Sequence, residues 1–271
     1  MSANVSIIIS TYNSPEWLFK VLCGFSIQSY QNFEVVIADD GSREETAIMI
    51  KNFAETASFK IKHVWHEDNG FQKTKILNDA LKVCETEYVI MTDGDCIPMP
   101  NFVETHMEKR EQGKFLSGGY HKLSMELSKL ITKEDILTKR CFNVDWLMSN
   151  GMKKSFKNNK ITSNGFKSSL LNIITPTKAT WNGHNASGYL KDILAVNGFD
   201  ERMEYGGEDR ELGERLENLG VKGKKIRYNT TCLHLDHSRG YVNEKALAIN
   251  EQIRKDTKQN KSIWTNYGIK K

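Results

Sequence analysis

Three observations predict an α/β fold: a mostly parallel sheet flanked by helices in a single domain, with a less regular second half. Short β-branched and apolar runs at residues 5–9, 33–38 and 88–91 lack polar alternation, as expected of strands covered on both faces. Segments with apolar residues at helical spacing separate them. Each run also empties into a polar cluster, and an open α/β sheet binds its ligand at the carboxyl ends of its strands.

The first run leads into Ser10-Thr11-Tyr12-Asn13. Ser14-Pro15-Glu16 then opens a helix, with Ser14 as the expected N-cap and Pro15 in the first helical position; Trp17, Leu18, Val21, Leu22 and Phe25 form its apolar stripe. The second run ends in Asp39-Asp40-Gly41-Ser42. A helix over 44–56, a strand over 61–65, a loop to Gly70, a helix over 73–84 and the strand at 88–91 complete a βαβαβαβ series.

That last strand delivers Asp93-Gly94-Asp95. Two carboxylates this close repel unless a cation neutralises them, and oxygen ligands with room for water suit Mn2+ or Mg2+. A solvated turn is the plain alternative. A tyrosine ring such as that of Tyr12 can stack on a base, and a carboxylate can accept from base or ribose. Neither G-x-G-x-x-G nor a P-loop is present, so phosphates must be neutralised by metal rather than by backbone amides. This speaks against a dehydrogenase and an NTPase.

At 271 residues, with 39% hydrophobic and 27% charged, the chain has the composition of a soluble globular protein. Its net charge of +4 is unevenly placed: residues 146–191 hold no Asp or Glu but include Lys153, Lys154, Lys157, Lys160, Lys167, Lys178 and Lys191. Such a stretch suits an anionic partner or a solvated loop face. No nucleic-acid partner is expected. Five scattered cysteines form no C-x-x-C pair, and no apolar segment reaches the ~20 residues that cross a bilayer. With no room for a signal peptide before the first strand, the expected location is cytoplasmic, at most resting on the inner face of a membrane.

Residues 5–13, 33–42, Asp68-Asn69-Gly70-Phe71-Gln72 and 88–98 together resemble family 2 glycosyltransferases of the GT-A fold, with Asp93-Gly94-Asp95 as their D-x-D motif. The resemblance continues to roughly Tyr241. It implies a donor-binding half over 1–120, an acceptor and catalytic half over 121–240, and a basic helical tail over 241–271. It also implies that Asp40 contacts uracil of a UDP-sugar donor, that Ser10 and Tyr12 frame the nucleoside, that Asp93 reaches ribose or metal, and that Asp95 coordinates Mn2+. One departure is Leu77-Asn78, where many members carry Arg-Asn; Lys73 or Lys75 then has to replace the arginine, or the contact is missing.

In the second half the family places sugars against segments such as 180–188, which makes Trp181, Asn182 and Asn185 candidate lining residues, although Trp181 is equally a core residue by type. Gly206-Gly207-Glu208-Asp209 precedes a helix with a Leu212, Leu216, Leu219 stripe and a closing Gly220. Acids in a first helical turn are favoured by the helix dipole alone, but Gly207 and its neighbour let another molecule approach the backbone. The segment is similar to the catalytic motif of inverting members, including β-1,4-galactosyltransferases and chondroitin-type polymerases. Asp209 is assigned as base and Glu208 as a ligand of acceptor hydroxyls, with the reverse assignment open. His234-Leu235-Asp236-His237-Ser238-Arg239 follows an expected strand over 225–233; His237 is the preferred metal ligand and His234 the second. The tail over 241–271 holds seven Lys or Arg against three acids, and is read either as a membrane-surface helix or as a packing helix.

The expectation is a metal-dependent inverting transferase moving a sugar from a UDP-sugar to a glycan or lipid-linked glycan acceptor, in bacterial surface-polysaccharide synthesis. The competing classes are a D-x-D phosphohydrolase and a non-catalytic nucleotide-sugar or glycan-binding module.

Overall fold

The computed structural model describes residues 3–238 and 243–270; Arg239 and Tyr241, named above, lie outside them. Strands β1 (Val5–Thr11), β2 (Phe33–Asp39), β3 (Lys60–Trp65) and β4 (Tyr88–Asp93) alternate with helices α1 (Pro15–Ser26), α2 (Glu44–Ala54) and α3 (Lys73–Lys82). After β5 (Cys96–Pro98) come α4 (Phe102–Lys109), β6 (Lys114–Ser117) and β7 (Gly119–Lys122), then the short helices α5 (Met125–Leu130), α6 (Lys133–Leu137), α7 (Val144–Ser149) and α8 (Asn159–Thr162). Helix α9 (Gly165–Ile174), β8 (Ala186–Tyr189), α10 (Leu190–Ala195), α11 (Glu208–Leu219), β9 (Lys222–Lys225), β10 (Thr231–His234) and α12 (Glu244–Gln259) complete the chain.

The predicted α/β architecture is present as a seven-stranded sheet in the order β3-β2-β1-β4-β8-β6-β9, beside a three-stranded sheet β5-β10-β7. Strands β3 to β4 pair parallel, while β8 runs antiparallel to both β4 and β6. Alternate residues of each strand point to opposite faces. Ile7, Ile9, Val35, Ile37 and Ile90 therefore meet Leu18, Val21, Leu22 and Phe25 of α1 on one side. Ile8, Val36, Val89 and Met91 meet Ile76, Leu77, Ala80 and Leu81 of α3 and Leu212 and Leu216 of α11 on the other.

Two local expectations change, and one pair of alternatives is resolved. Ser14 flanks α1 but its side chain makes no capping bond; the helix starts on the preset φ of Pro15. The strand expected over 225–233 is two strands: the chain leaves the large sheet after Lys225, turns where the Asn229 N–H donates to the Ile226 carbonyl, and enters the small sheet at Thr231. The tail is a packing helix: α12 buries Ala246, Ile253 and Thr257, and Arg254 and Lys258 pair with Glu214 of α11. Among the described residues no helix is long and apolar enough to cross a membrane.

Candidate active site

The ends of β1 and β4 are clasped together. The Gly94 N–H donates to the Ser10 carbonyl (2.7 Å), and a Cβ on Gly94 would stand 3.0 Å from that oxygen, so the residue between the two aspartates has to be small. Asp93 Oδ1 accepts from Ser10 Oγ (2.8 Å) and from Lys73 Nζ (2.8 Å) at the start of α3. Burial pushes the Asp93 carboxyl up, but the Lys73 ammonium beside it prevails and holds it at about 2. Lys73 is itself held well above its ordinary value despite burial, by Asp93, Asp209 and Glu208 together. It is thus Lys73, of the two lysines considered, that is seen to reach into the site as a cation.

The other donor-side residues gather at the same sheet edge. Asp40 accepts from His66 Nε2 (2.8 Å) and from the Gln72 N–H (3.0 Å), and burial pushes its carboxyl up. Tyr12 is half exposed, its hydroxyl on Asp68 (3.0 Å), with a ring free to take a flat ligand.

Antiparallel pairing of β5 with β10 sets His234 opposite Cys96, and the Leu235 N–H bonds the Asp95 carbonyl (2.8 Å). Asp95 Oδ2 consequently faces His237 Nε2 at 3.1 Å and His234 Nε2 at 3.8 Å. One ligand atom from each of the three lies within 4.8 Å of the others, a size and donor set that fit a single divalent cation. His234 Nδ1 is buried without a partner, so this ring gains its polar contact only on the Nε2 side. These residues could hold Mn2+.

Asp209 stands in the first turn of α11, entered through Gly206 and Gly207 at φ of +110° and +97°, a left-handed geometry suited to glycine. Its Oδ2 accepts from the Gly183 N–H (2.8 Å) and its Oδ1 is buried with no partner. Burial, then the neighbouring Glu208 charge, push this carboxyl up to about 7 against the pull of Lys73. The carboxyl lines a cleft of roughly 410 Å³ with Asn182, His184, Gly206, Gly207, Arg210 and Arg254. Glu208 is buried and accepts from the Gly206 N–H (2.8 Å), so one of its oxygens holds the glycine turn in shape. Asp209 thus combines a carboxyl raised to near neutrality with one oxygen that has no partner, beside the cleft.

One predicted lining residue has another position. Trp181 borders the cleft and is at the same time a core residue, fully buried with its ring against Phe115. Asn185 is also fully buried and takes both ends of its amide inward, to His106 Nε2 (2.9 Å) and the Gly119 carbonyl (2.8 Å). Asn182 and Gly207 do line the cleft. The residue that sequence reasoning missed is His184. Its carbonyl is tied to Thr92 Oγ1 (3.0 Å), its Nε2 is buried without a partner, and burial keeps its imidazole neutral with a value of about 4. Tyr120, also missed, packs edge-on to His184 (4.5 Å between ring centres) and against His234 (5.2 Å), joining the cleft to the proposed cation pocket.

The family described as "Glycosyl transferase family 2" matches residues 6–172 of this sequence. Among curated proteins the chain is similar to chondroitin synthase of Escherichia coli, 28% identical over 244 residues, covering 82% of this chain and 33% of that one. It is also similar to validoxylamine A glucosyltransferase of Streptomyces hygroscopicus subsp. jinggangensis, 26% identical over 230 residues, covering 80% and 52%. The chain thus spans between a third and about half the length of these relatives. Among solved structures it shares its fold with a mannosyltransferase from Pyrobaculum calidifontis in complex with GDP-Man and Mn2+, at TM-score 0.60, 18% identity and coverage of 89% and 59%. It likewise shares it with S. aureus TarS 1-349 in complex with UDP-GlcNAc, at TM-score 0.61, 16% identity and coverage of 93% and 65%.

Proposed function

This chain belongs to glycosyl transferase family 2, and from that premise we propose that it is a metal-dependent, inverting hexosyltransferase acting on a UDP-sugar, with a glycan or lipid-linked glycan hydroxyl as acceptor, in bacterial surface-polysaccharide synthesis. The observation that carries the reading is a carboxyl poised near neutrality (Asp209) close to Lys73 and Asp93, with Asp95 two residues from Asp93 and grouped with His234 and His237 in a set that fits a cation. A metal-binding relative of the same fold supports Mn2+, and the UDP-GlcNAc complex of another supports a uridine donor. The similarity to chondroitin synthase supports the polysaccharide setting. Family membership displaces the phosphohydrolase reading.

The residues divide the work as follows. Tyr12 stacks on the base, Asp40 accepts from it, and Ser10 and Lys73 hold Asp93 for the ribose or the metal. Asp95, His237 and His234 would hold the cation, which would supply positive charge for the leaving nucleoside diphosphate. The acceptor oxygen bonds the anomeric carbon on the face opposite the diphosphate, the bond from that carbon to the diphosphate oxygen breaks, and the hydroxyl proton passes to Asp209. Lys73 stands beside Asp93 and Asp209: it keeps Asp93 ionised and offsets part of the burial that raises Asp209, which is ionised before the exchange and protonated after it.

The test is a scan of UDP- and GDP-sugars with oligosaccharide acceptors, with the product's anomeric configuration read by NMR. The expected outcome is transfer from one UDP-sugar with inverted configuration. Retention, or transfer from a GDP-sugar alone, contradicts the proposal.

A further inference from the structure

Helix α9 is amphipathic the wrong way round. Its inward side carries Ser168, Leu171 and Asn172, all buried, with Asn172 Nδ2 donating to Asn229 Oδ1 (2.7 Å) and Asn172 Oδ1 accepting from the Tyr228 N–H (3.2 Å). Its outward side carries Phe166 (84% exposed), Leu170, Ile173 (77% exposed) and Ile174. At 3.6 residues per turn these four fall within an arc of roughly 100°, opposite the buried side. Phe156, ten residues before Phe166, is 62% exposed as well. A bare apolar helix face of this kind marks an interaction site.

The charge along this stretch of chain is of one sign. Lys153, Lys154, Lys157, Lys167 and Lys178 are all exposed, and none makes an ion pair among the described residues, while the chain from 146 to 191 contains no acid. Elsewhere on the surface lysines do find acids, as Lys60 does with Glu85 and Lys255 with Glu251. An apolar stripe flanked by unpaired lysines is complementary to a lipid surface with anionic headgroups: the side chains enter the headgroup boundary and the ammoniums meet phosphates. A protein partner would need a matching acidic rim, and a second copy of this chain brings five more lysines to the same contact.

We infer that the outward face of α9, with Phe156 and the lysines between 153 and 178, is a docking surface for an anionic membrane. The segment is anchored to the catalytic wall. Lys160 Nζ donates to the Tyr120 carbonyl (2.9 Å), and the Tyr120 ring packs on His184 and His234. Docking through α9 therefore holds the cleft at the lipid surface, where an acceptor carried on a lipid is found. The inference bears on the lipid-linked class of acceptor in the proposed function, but the docking itself needs neither donor nor turnover, and the two fail separately.

The experiment is co-sedimentation of the full chain, without nucleotide or metal, with vesicles of phosphatidylglycerol and phosphatidylcholine beside vesicles of phosphatidylcholine alone. Wild type is expected to sediment with the anionic vesicles, and to be released by salt. Phe166→Ser/Ile173→Ser is expected to lower the bound fraction about tenfold. Lys153→Glu/Lys154→Glu/Lys167→Glu is expected to lower it comparably and to remove the salt dependence. Circular dichroism and UDP binding check that each variant is folded, since none of these residues lies in the candidate site. Absence of binding to anionic vesicles at low salt overturns the inference, as does binding that ignores both variants or is equal on neutral vesicles. A wild-type dimer in solution that Phe166→Ser/Ile173→Ser returns to monomer also overturns it, and assigns the face to a second copy.

Discussion

Replacing Asp209 by Asn is expected to raise stability and abolish transfer together. The carboxyl is raised from 3.8 to about 7, chiefly by burial and then by Glu208. A carboxyl raised in the folded state contributes stability that is fully present below its unfolded value near 4 and is lost as pH climbs through about 7. The rise corresponds to about 4 kcal/mol as a ceiling. Asn keeps the shape, can accept from the Gly183 N–H through its oxygen, and carries no charge to bury. In metal-free buffer the variant should match wild type at pH 4 and gain progressively up to pH 8. With ~1–2 kcal/mol of the ceiling realised, the gain in Tm is roughly 2–6 °C. Turnover at pH 8 should fall by about 10²–10⁴, the usual contribution of a positioned base, while UDP binding is unchanged. Differential scanning fluorimetry across pH and a UDP-release assay read the two arms. An Asn variant no more stable than wild type at pH 8, or one retaining more than about a tenth of the turnover, refutes the reasoning.

Further expectations concern neighbouring residues. Wild-type kcat/KM should rise with pH through about 7 and then level, because the base must lose its proton. Lys73→Met leaves Asp93, Asp209 and Glu208 without their shared cation; it should cost about 3 kcal/mol in a denaturant titration and move that pH midpoint upward. Tyr12→Ala should raise the donor KM about tenfold, equivalent to the loss of ~1–3 kcal/mol of base stacking, with kcat unchanged. Trp181→Ala should behave as a core truncation, costing ~3–5 kcal/mol of stability, because the ring fills the space against Phe115.

Much of the donor half was legible because its signals are local. Short uninterrupted β-branched runs read as strands covered on both faces, and the parallel pairing of β1 to β4 follows from their alternation with helices, although their order in the sheet does not. Asp93, Asp95 and Lys73 lie at element ends, where position along the chain also fixes position in the sheet. Asp95 and the two histidines were each readable, but what brings them together is not: β5 is three residues long and ends in proline, and its pairing with β10 is set by the second sheet as a whole. Asn185 was misread for a related reason. Asparagine in a loop looks available to a sugar, whereas here it closes a buried chain from Tyr88 through Ser187 and His106 to Gly119, four segments far apart in sequence. His184 gave no local signal, since a lone histidine between asparagine and glycine has no partner in the sequence to mark it. Helix α9 was not read from the sequence at all, and that its apolar residues face outward is a property of the packing.

The most direct test of metal-dependent sugar transfer is nucleotide release from the productive UDP-sugar with Mn2+ present or chelated, wild type beside Asp95→Ala. The expected result is release that needs the metal and disappears in the variant. Release that persists with chelator, or that Asp95→Ala leaves intact, contradicts the account.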